Sequence, residues 1–337
     1  MRRILLPASV FLLIVLAVAA WFWRDMEQQL NRPMTVTEME VLEIAPGTTL
    51  RALGRELQRR GWLEQPFYLE FEARRSQRAG RIRAGEYAVT PGTTPRMLLD
   101  LLVSGPVIQH QLTIIEGWSF REMMQAVSGS PELRHTLAGA TPKQIMAAIG
   151  YAGYLPEGRF LPDTYSFPAR TTDVEFLQRA FAAMEQALAE EWQTRAAELP
   201  YASPYQALIM ASLVEKETAV PEERPRIAGV FVRRLQKGMR LQTDPTVIYA
   251  LGENFDGNIR RSDLELDSPF NTYQVAGLPP TPIALPGRDS IHAALHPDAG
   301  TAMYFVARGN GSHEFSATLE EHNRAVRRYQ LGGESEK

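Results

Sequence analysis

One short stretch carries the sequence's strongest hint of chemistry. Met210-Ala-Ser-Leu-Val-Glu-Lys-Glu-Thr218 is an apolar run that ends in charge. In a helix, at about 100° per residue, Glu217 lies over Met210, Leu213 and Val214. Glu215 lies roughly 160° away on that wheel, beside Leu208, Ala211 and Ser212. Burial of the Leu213/Val214 face brings Glu217 off a dry surface near the helix end. Desolvation and the negative helix C-terminus then both raise its proton affinity. A carboxyl protonated near neutral pH is what a general acid needs. The alternative is a solvated helix terminus that bears an acidic pair.

Two later segments mix polar with apolar side chains. Gly238-Met-Arg-Leu-Gln-Thr-Asp-Pro-Thr-Val-Ile-Tyr249 is one; Ser268 to Gly287, a long proline-rich loop with amides, hydroxyls and aromatics, is the other. Carbohydrate sites use those groups, with aromatics for sugar faces and Asn, Gln and Asp for hydroxyls. A structural crossover would read the same way.

Other chemistries find little support. HExxH, GxSxG, P-loop and GxGxxG motifs are absent. The chain has no cysteine, which excludes disulfides, Cys-ligated metals and a cysteine nucleophile. Of the six histidines only His292 and His296 share helical spacing, and the pair reads as packing or capping. Lys216 is the one lysine in a suspicious place, but a pyridoxal-dependent lyase would want a phosphate-cradling glycine loop. No metal and no cofactor are expected.

The elements that must position these residues follow from length and patterning. The 337 residues carry a formal net charge of −3 and are 45% hydrophobic. That suggests about two globular domains and argues against a general nucleic-acid binder. Ile4 to Trp23 is a run of twenty residues without a charge. At about 1.5 Å per residue it spans about 30 Å, the thickness of a bilayer core. Arg2 and Arg3 precede it, and Trp21, Phe22 and Trp23 close it at interface depth. The positive-inside rule places residues 1–3 in the cytoplasm and everything after Arg24 outside. A cleaved signal peptide is the other reading, with Ala17-Val18-Ala19 as a cleavage site. Either way, cytoplasmic cofactors such as ATP and NAD are disfavoured.

Polar residues 25–36 read as a tether. A strand at 40–44 opens a pattern that recurs. Gly47-Thr-Thr-Leu-Arg51, Gly92-Thr-Thr-Pro-Arg96 and Gly117-Trp-Ser-Phe-Arg121 each follow a strand-like run and precede apolar residues at helical spacing. Thr49, Thr94 and Ser119 are natural N-caps, and Pro95 fits a first helical position. Each unit reads as strand, glycine turn, capped helix. Nine arginines and four glutamates fill 51–83, either a solvated helical face or a contact with an anionic surface. Residues 131–200 look mainly helical, broken by a turn-rich cluster at 156–168. Helices are expected from Ser203 and Pro225, and a hairpin around Gly309-Asn-Gly311.

At these residues the sequence resembles the endolytic murein transglycosylases of the MltG (YceG-like) type. The likeness rests on Glu215-Lys-Glu-Thr218, Arg240-Leu-Gln-Thr-Asp-Pro-Thr-Val-Ile-Tyr249, Asn271-Thr-Tyr273 and Gly277-Leu-Pro-Pro280. It takes in Gly158, Phe160, Pro162-Asp-Thr164, Ala294, His296-Pro297 and Tyr304-Phe-Val306, and runs to about Tyr329. The resemblance implies an α+β chain: an N-terminal transmembrane helix (1–24), a tether (25–36), a small LysM-like module (37–106), a larger catalytic domain (107–330) and a flexible tail (331–337). It maps the catalytic acid onto Glu217 rather than Glu215. The residues expected to line the cleft are Gln242, Thr243, Asp244, Tyr249, Asn271 and Tyr273, joined by Asp163 and Tyr165.

The implied enzyme is a single-pass inner-membrane protein, N-terminus cytoplasmic and bulk periplasmic. It would cut MurNAc–GlcNAc links within nascent peptidoglycan strands, leaving 1,6-anhydroMurNAc ends. Its partners would be glycan strands, the bilayer through residues 4–23, and peptidoglycan synthases (penicillin-binding proteins). Two rivals stay open: a non-catalytic wall-binding scaffold, and a hydrolase using Glu157, Asp163 or Asp244 as a second carboxylate.

Overall fold

A computed structural model describes residues 2–331, without the side chains of residues 2–8. The described residues form two compact units. One holds the chain up to His110 together with Phe167–Arg170; the other holds Gln111–Ser166 and the chain from Thr171 onward.

The first unit begins with α1 (Arg2–Asn31). From Ser9 it is long and apolar enough to cross a membrane. Its side chains from Val10 to Trp23 are mostly exposed, Phe11 at 69% and Trp21 at 65%. A run of bare apolar side chains that long has no aqueous rationale. The segment expected as a tether is different through Asn31: it continues the helix. Two apolar residues one turn apart, Met26 and Leu30, are fully buried against Tyr68, and Glu27 pairs with Arg96 at 2.8 Å. Spaced by four, they make a stripe too narrow to show as a period.

Strand β1 (Glu40–Ile44) pairs antiparallel with β2 (Gly85–Val89), Leu42 opposite Tyr87. Between them lie α2 (Leu50–Arg59) and α3 (Pro66–Arg75), and α4 (Pro95–Ser104) follows. Leu42, Leu57, Tyr87, Leu98 and Leu102 form the fully buried centre of this core. Thr49 and Thr94 cap α2 and α4 through their hydroxyls, as the repeats predict. The glycine two residues before each cap is left-handed, with φ of +79° at Gly47 and +85° at Gly92. Within the arginine-rich stretch, Arg59, Arg60, Arg74, Arg75 and Arg78 each face a carboxylate. That fits a solvated helical face.

Strand β3 (Gln109–Thr113) pairs with β4 (Thr164–Pro168), so part of the turn-rich cluster is extended. The second unit continues with α5 (Phe120–Gly129), α6 (Pro142–Ala148) and α7 (Asp173–Thr194). The stretch expected to be mainly helical thus holds two helices separated by turns. Ser119, Thr141 and Thr172 each close a capping box with Glu122, Gln144 and Glu175. Each cap contributes about 1 kcal/mol.

The centre of this unit is α8 (Pro204–Glu217), with Ser203 as its N-cap. Every residue from Ala207 to Val214 is buried, so the helix is apolar all round rather than on one face. It packs against α7, α9 (Arg224–Gln236), α10 (Asp244–Leu251) and α11 (Arg288–Leu295). The chain closes with the hairpin β5 (Tyr304–Ala307) and β6 (His313–Ser316), then α12 (Leu319–Tyr329). The expected tail lies outside the described residues from 332 onward.

Candidate active site

The two acids at the end of α8 part company. Glu215 accepts a hydrogen bond from the backbone N–H of Gly287 at 2.9 Å, just before α11. The buried guanidinium of Arg224 lies 4.0 Å from its other oxygen. Arg224 also holds Asp289 at 3.0 Å. Glu215 is therefore committed to joining α8, α9 and α11. Glu217 instead enters a cleft of about 510 Å³.

Among the described residues, the hydroxyl of Thr243 donates to the Glu217 carboxylate. Thr243 sits at the N-cap of α10, yet it makes no capping bond there. A threonine that gives up its cap forgoes about 1 kcal/mol. Local rules broken in this way mark functional positions. The next residue back, Gln242, adopts φ of +52°, a left-handed conformation costly for a non-glycine residue. A buried threonine network holds this bend. Gln242 N–H donates to Thr272 O at 3.2 Å, Thr243 N–H donates to the Thr272 hydroxyl at 3.1 Å, and Thr246 meets the same hydroxyl at 2.9 Å. The two polar segments singled out in the sequence are thus stitched together beneath the acid.

Burial pushes the Glu217 carboxyl above the usual carboxylate range. The Thr243 hydrogen bond and the charges of His313 and Arg234 oppose the shift, and Asp244 reinforces it. Asp244 accepts from the Tyr273 hydroxyl at 2.7 Å. Arg234 is 8% exposed. Backbone carbonyls of Met303 and Leu241 hold it, each at 2.8 and 2.7 Å respectively. The arrangement presents one protonable carboxyl, hydroxyl and phenol donors, and a fixed cation. It suits proton transfer to an ether oxygen and stabilisation of polar intermediates.

Glu217, Gln242, Asp244 and Tyr273 line one cleft, with Thr243 bonded to the acid. The other expected residues lie elsewhere. Asn271 is fully buried, and its amide donates to Leu264 and Leu266 carbonyls at 3.1 and 2.8 Å. The Tyr249 hydroxyl donates to Glu157 at 3.0 Å. Tyr165 donates to Leu161 O at 2.7 Å, and Asp163 accepts from the N–H of Thr164 at 2.7 Å. Gly158, beside Glu157, is left-handed at φ +78°, and a Cβ there would meet the Pro282 side chain at 2.4 Å. Burial raises the Glu157 carboxyl, but it faces the Phe120 N–H at 2.8 Å and Tyr249. Lys216 is exposed and donates to Gly117 O at 3.1 Å.

Sequence reasoning missed Arg234, Tyr304, His313 and His322, which line the same cleft. Arg234 had a signal: a charge among the apolar residues of α9. Apart from the cleft, Glu191, His292 and His296 bring possible ligand atoms within 4.8 Å of one another. His296 caps α11 and bonds Thr194 O at 2.8 Å, and His292 meets Glu191 at 2.8 Å; the pair was expected to serve packing or capping.

Comparison with known proteins gives a consistent result. The family model described as the YceG-like family matches residues 42–328. The endolytic murein transglycosylase of Bacillus subtilis (strain 168) is 30% identical over 312 residues, covering 86% of this chain and 84% of that protein. The protein of the same name from Streptococcus pneumoniae serotype 2 is 28% identical over 84% of this chain, which spans 57% of its length. The crystal structure of a YceG-like protein from Listeria monocytogenes is similar at a TM-score of 0.55. It has 29% identity to this chain, and the match covers 86% of this chain and 99% of that one.

Proposed function

Since this chain belongs to the YceG-like family, we propose that it is an endolytic murein lytic transglycosylase with Glu217 as its catalytic acid. The observation that carries the reading is the fate of the two glutamates. Glu215 is tied to Arg224 and Gly287, while Glu217 faces the cleft with a raised proton affinity and a threonine taken from its capping duty.

Glu217 protonates the oxygen that bridges N-acetylmuramic acid to N-acetylglucosamine. The Glu217 O–H bond breaks, an O–H bond forms on the leaving sugar, and the muramoyl C1–O bond breaks. The carboxylate then takes the proton of the muramoyl C6 hydroxyl, whose oxygen bonds to C1 and closes a 1,6-anhydro ring. The nucleophile belongs to the substrate, so its effective concentration can reach about 10⁵ M or more. One carboxylate therefore suffices where hydrolases use two. Tyr273, Gln242 and Asp244 supply the dipoles and charge that meet the developing oxocarbenium ion.

The rest of the proposal concerns place. The exposed apolar helix from Ser9 supports a single-pass inner-membrane anchor, with the bulk of the chain periplasmic. A tethered site near newly made strands would cut them endolytically and release them, beside peptidoglycan synthases. The LysM-like reading of residues 37–106 as a glycan-holding module belongs to the same proposal.

The test is digestion of purified glycan strands followed by mass spectrometry. The wild type should release 1,6-anhydro-muropeptides, and Glu217→Gln should release none while remaining folded. Products one water heavier would indicate a hydrolase, with Asp244 in the cleft as the second carboxylate. An active Glu217→Gln variant would overturn the acid assignment.

A further inference from the structure

The hairpin places one imidazole in the Glu217 cleft, and a second acid holds it. Glu223 lies in the single turn (Pro221–Glu223) between α8 and α9. It accepts from the His313 backbone N–H at 2.8 Å and from His313 Nδ1 at 2.7 Å. Both side chains are only 10% exposed. The hydroxyl of Thr218, the residue after Glu217, donates to the same carboxylate at 3.4 Å. The rings of Phe305 and Phe315 stand at 5.4 and 6.4 Å from the imidazole. Burial works against the charge on Glu223, yet the bonds from His313 and Thr218 hold its carboxyl below the usual range.

This is a pre-organised pair. Nδ1 donates its N–H to the Glu223 carboxylate, which fixes the ring's orientation and leaves Nε2 without a described partner. The other titratable or charged groups lining the cleft are Glu217, Arg234, Asp244, Tyr273, Tyr304 and His322. Arg234 is a permanent cation whose Nε and Nη1 are turned to the Met303 and Leu241 carbonyls. Asp244 opposes a second negative charge. Glu217 must nevertheless become a carboxylate once in each turnover.

We propose that His313, locked by Glu223, is a positioning residue for Glu217: its imidazolium is the counter-charge that receives the Glu217 carboxylate when the proton leaves for the glycosidic oxygen. The inference rests on Glu217 being the acid. His313 exchanges no proton in the cycle. The proton Glu217 gives to the leaving sugar is replaced by the one from the C6 hydroxyl, so the balance stays as described above.

The experiment uses the full chain in detergent with purified glycan strands, and follows anhydro-product release against pH. His313→Asn keeps an amide donor for Glu223 and removes the charge. Its kcat/KM should fall roughly tenfold at neutral pH. Its alkaline limb should move up by about half a pH unit or more, because Glu217 then releases its proton less readily. Glu223→Gln, which keeps the imidazole but not its anion, should move the limb the same way by less. A lower rate with an unmoved limb in both variants would show a merely structural role and overturn the inference, as would wild-type rates in both. If His313→Asn does not fold, the limb of Glu223→Gln decides alone. Activity in Glu217→Gln would sink the assignment of the acid. An inactive Glu217→Gln beside unmoved profiles would sink only the role of His313.

Discussion

Thr243 stands at the N-cap of α10 and gives its hydroxyl to Glu217 instead of to the helix. The bond favours the carboxylate form and so opposes the burial that favours the acid. Thr243→Val keeps the shape and deletes the donor. We expect activity on glycan strands to fall about tenfold, with the alkaline limb of the pH profile moving up. Thermal stability should change little, because the hydroxyl caps nothing. An unchanged rate would mean that this bond does not act on the acid.

Glu215 and Glu217 make the complementary comparison. Glu215→Gln leaves the buried Arg224 with less compensation and weakens the acceptor for Gly287 N–H. Breaking a charge pair of this sort costs about 1–3 kcal/mol. We expect a lower urea midpoint and near-normal activity at low temperature. The reverse pattern, normal stability with lost activity, would move the acid to Glu215.

Local signals in the sequence were read well, and those that depend on distant partners were not. The caps at Thr49, Thr94 and Ser119 and the start of α8 at Ser203 depend on neighbours a few residues away, and all four form. Helical spacing together with its motif singled out Glu217, and the fold places it in the cleft. Asn271 and Tyr249 carry the right groups for sugar binding, but Leu264, Leu266 and Glu157 take those groups first. Residue type does not say which atoms the fold will use. His313 was missed because a lone histidine in a hairpin reads as packing. Its meaning comes from Glu223, ninety positions earlier.

Stability against pH offers a check on Glu217 that needs no substrate. Its folded-state proton affinity is raised, chiefly by burial. A raised carboxyl contributes its full stability below the unfolded value near pH 4, and that contribution is lost as pH rises through the folded value. Glu217→Gln removes the ionisation. It should match the wild type near pH 4 and be more stable at pH 8, by about 2–4 °C in Tm. Equal melting temperatures at pH 8 would argue that Glu217 ionises there without penalty.

The polar end of α1 offers the last prediction. Met26 and Leu30 are fully buried with Tyr68, and Phe22 meets the rings of Phe67, Tyr68 and Phe71 at 6.3, 5.7 and 5.7 Å. This stretch therefore belongs to the core of the first unit rather than to a passive leash. Leu30→Ala in the full chain should destabilise that unit by about 2–5 kcal/mol. A form beginning at residue 32, lacking the cluster and the Glu27–Arg96 pair, should unfold at lower urea than one beginning at residue 21. The comparison is best made by following Trp62, which is buried in the core of the same unit, by fluorescence. Equal midpoints would show that the unit folds without the helix end and that residues 25–31 act as a tether after all.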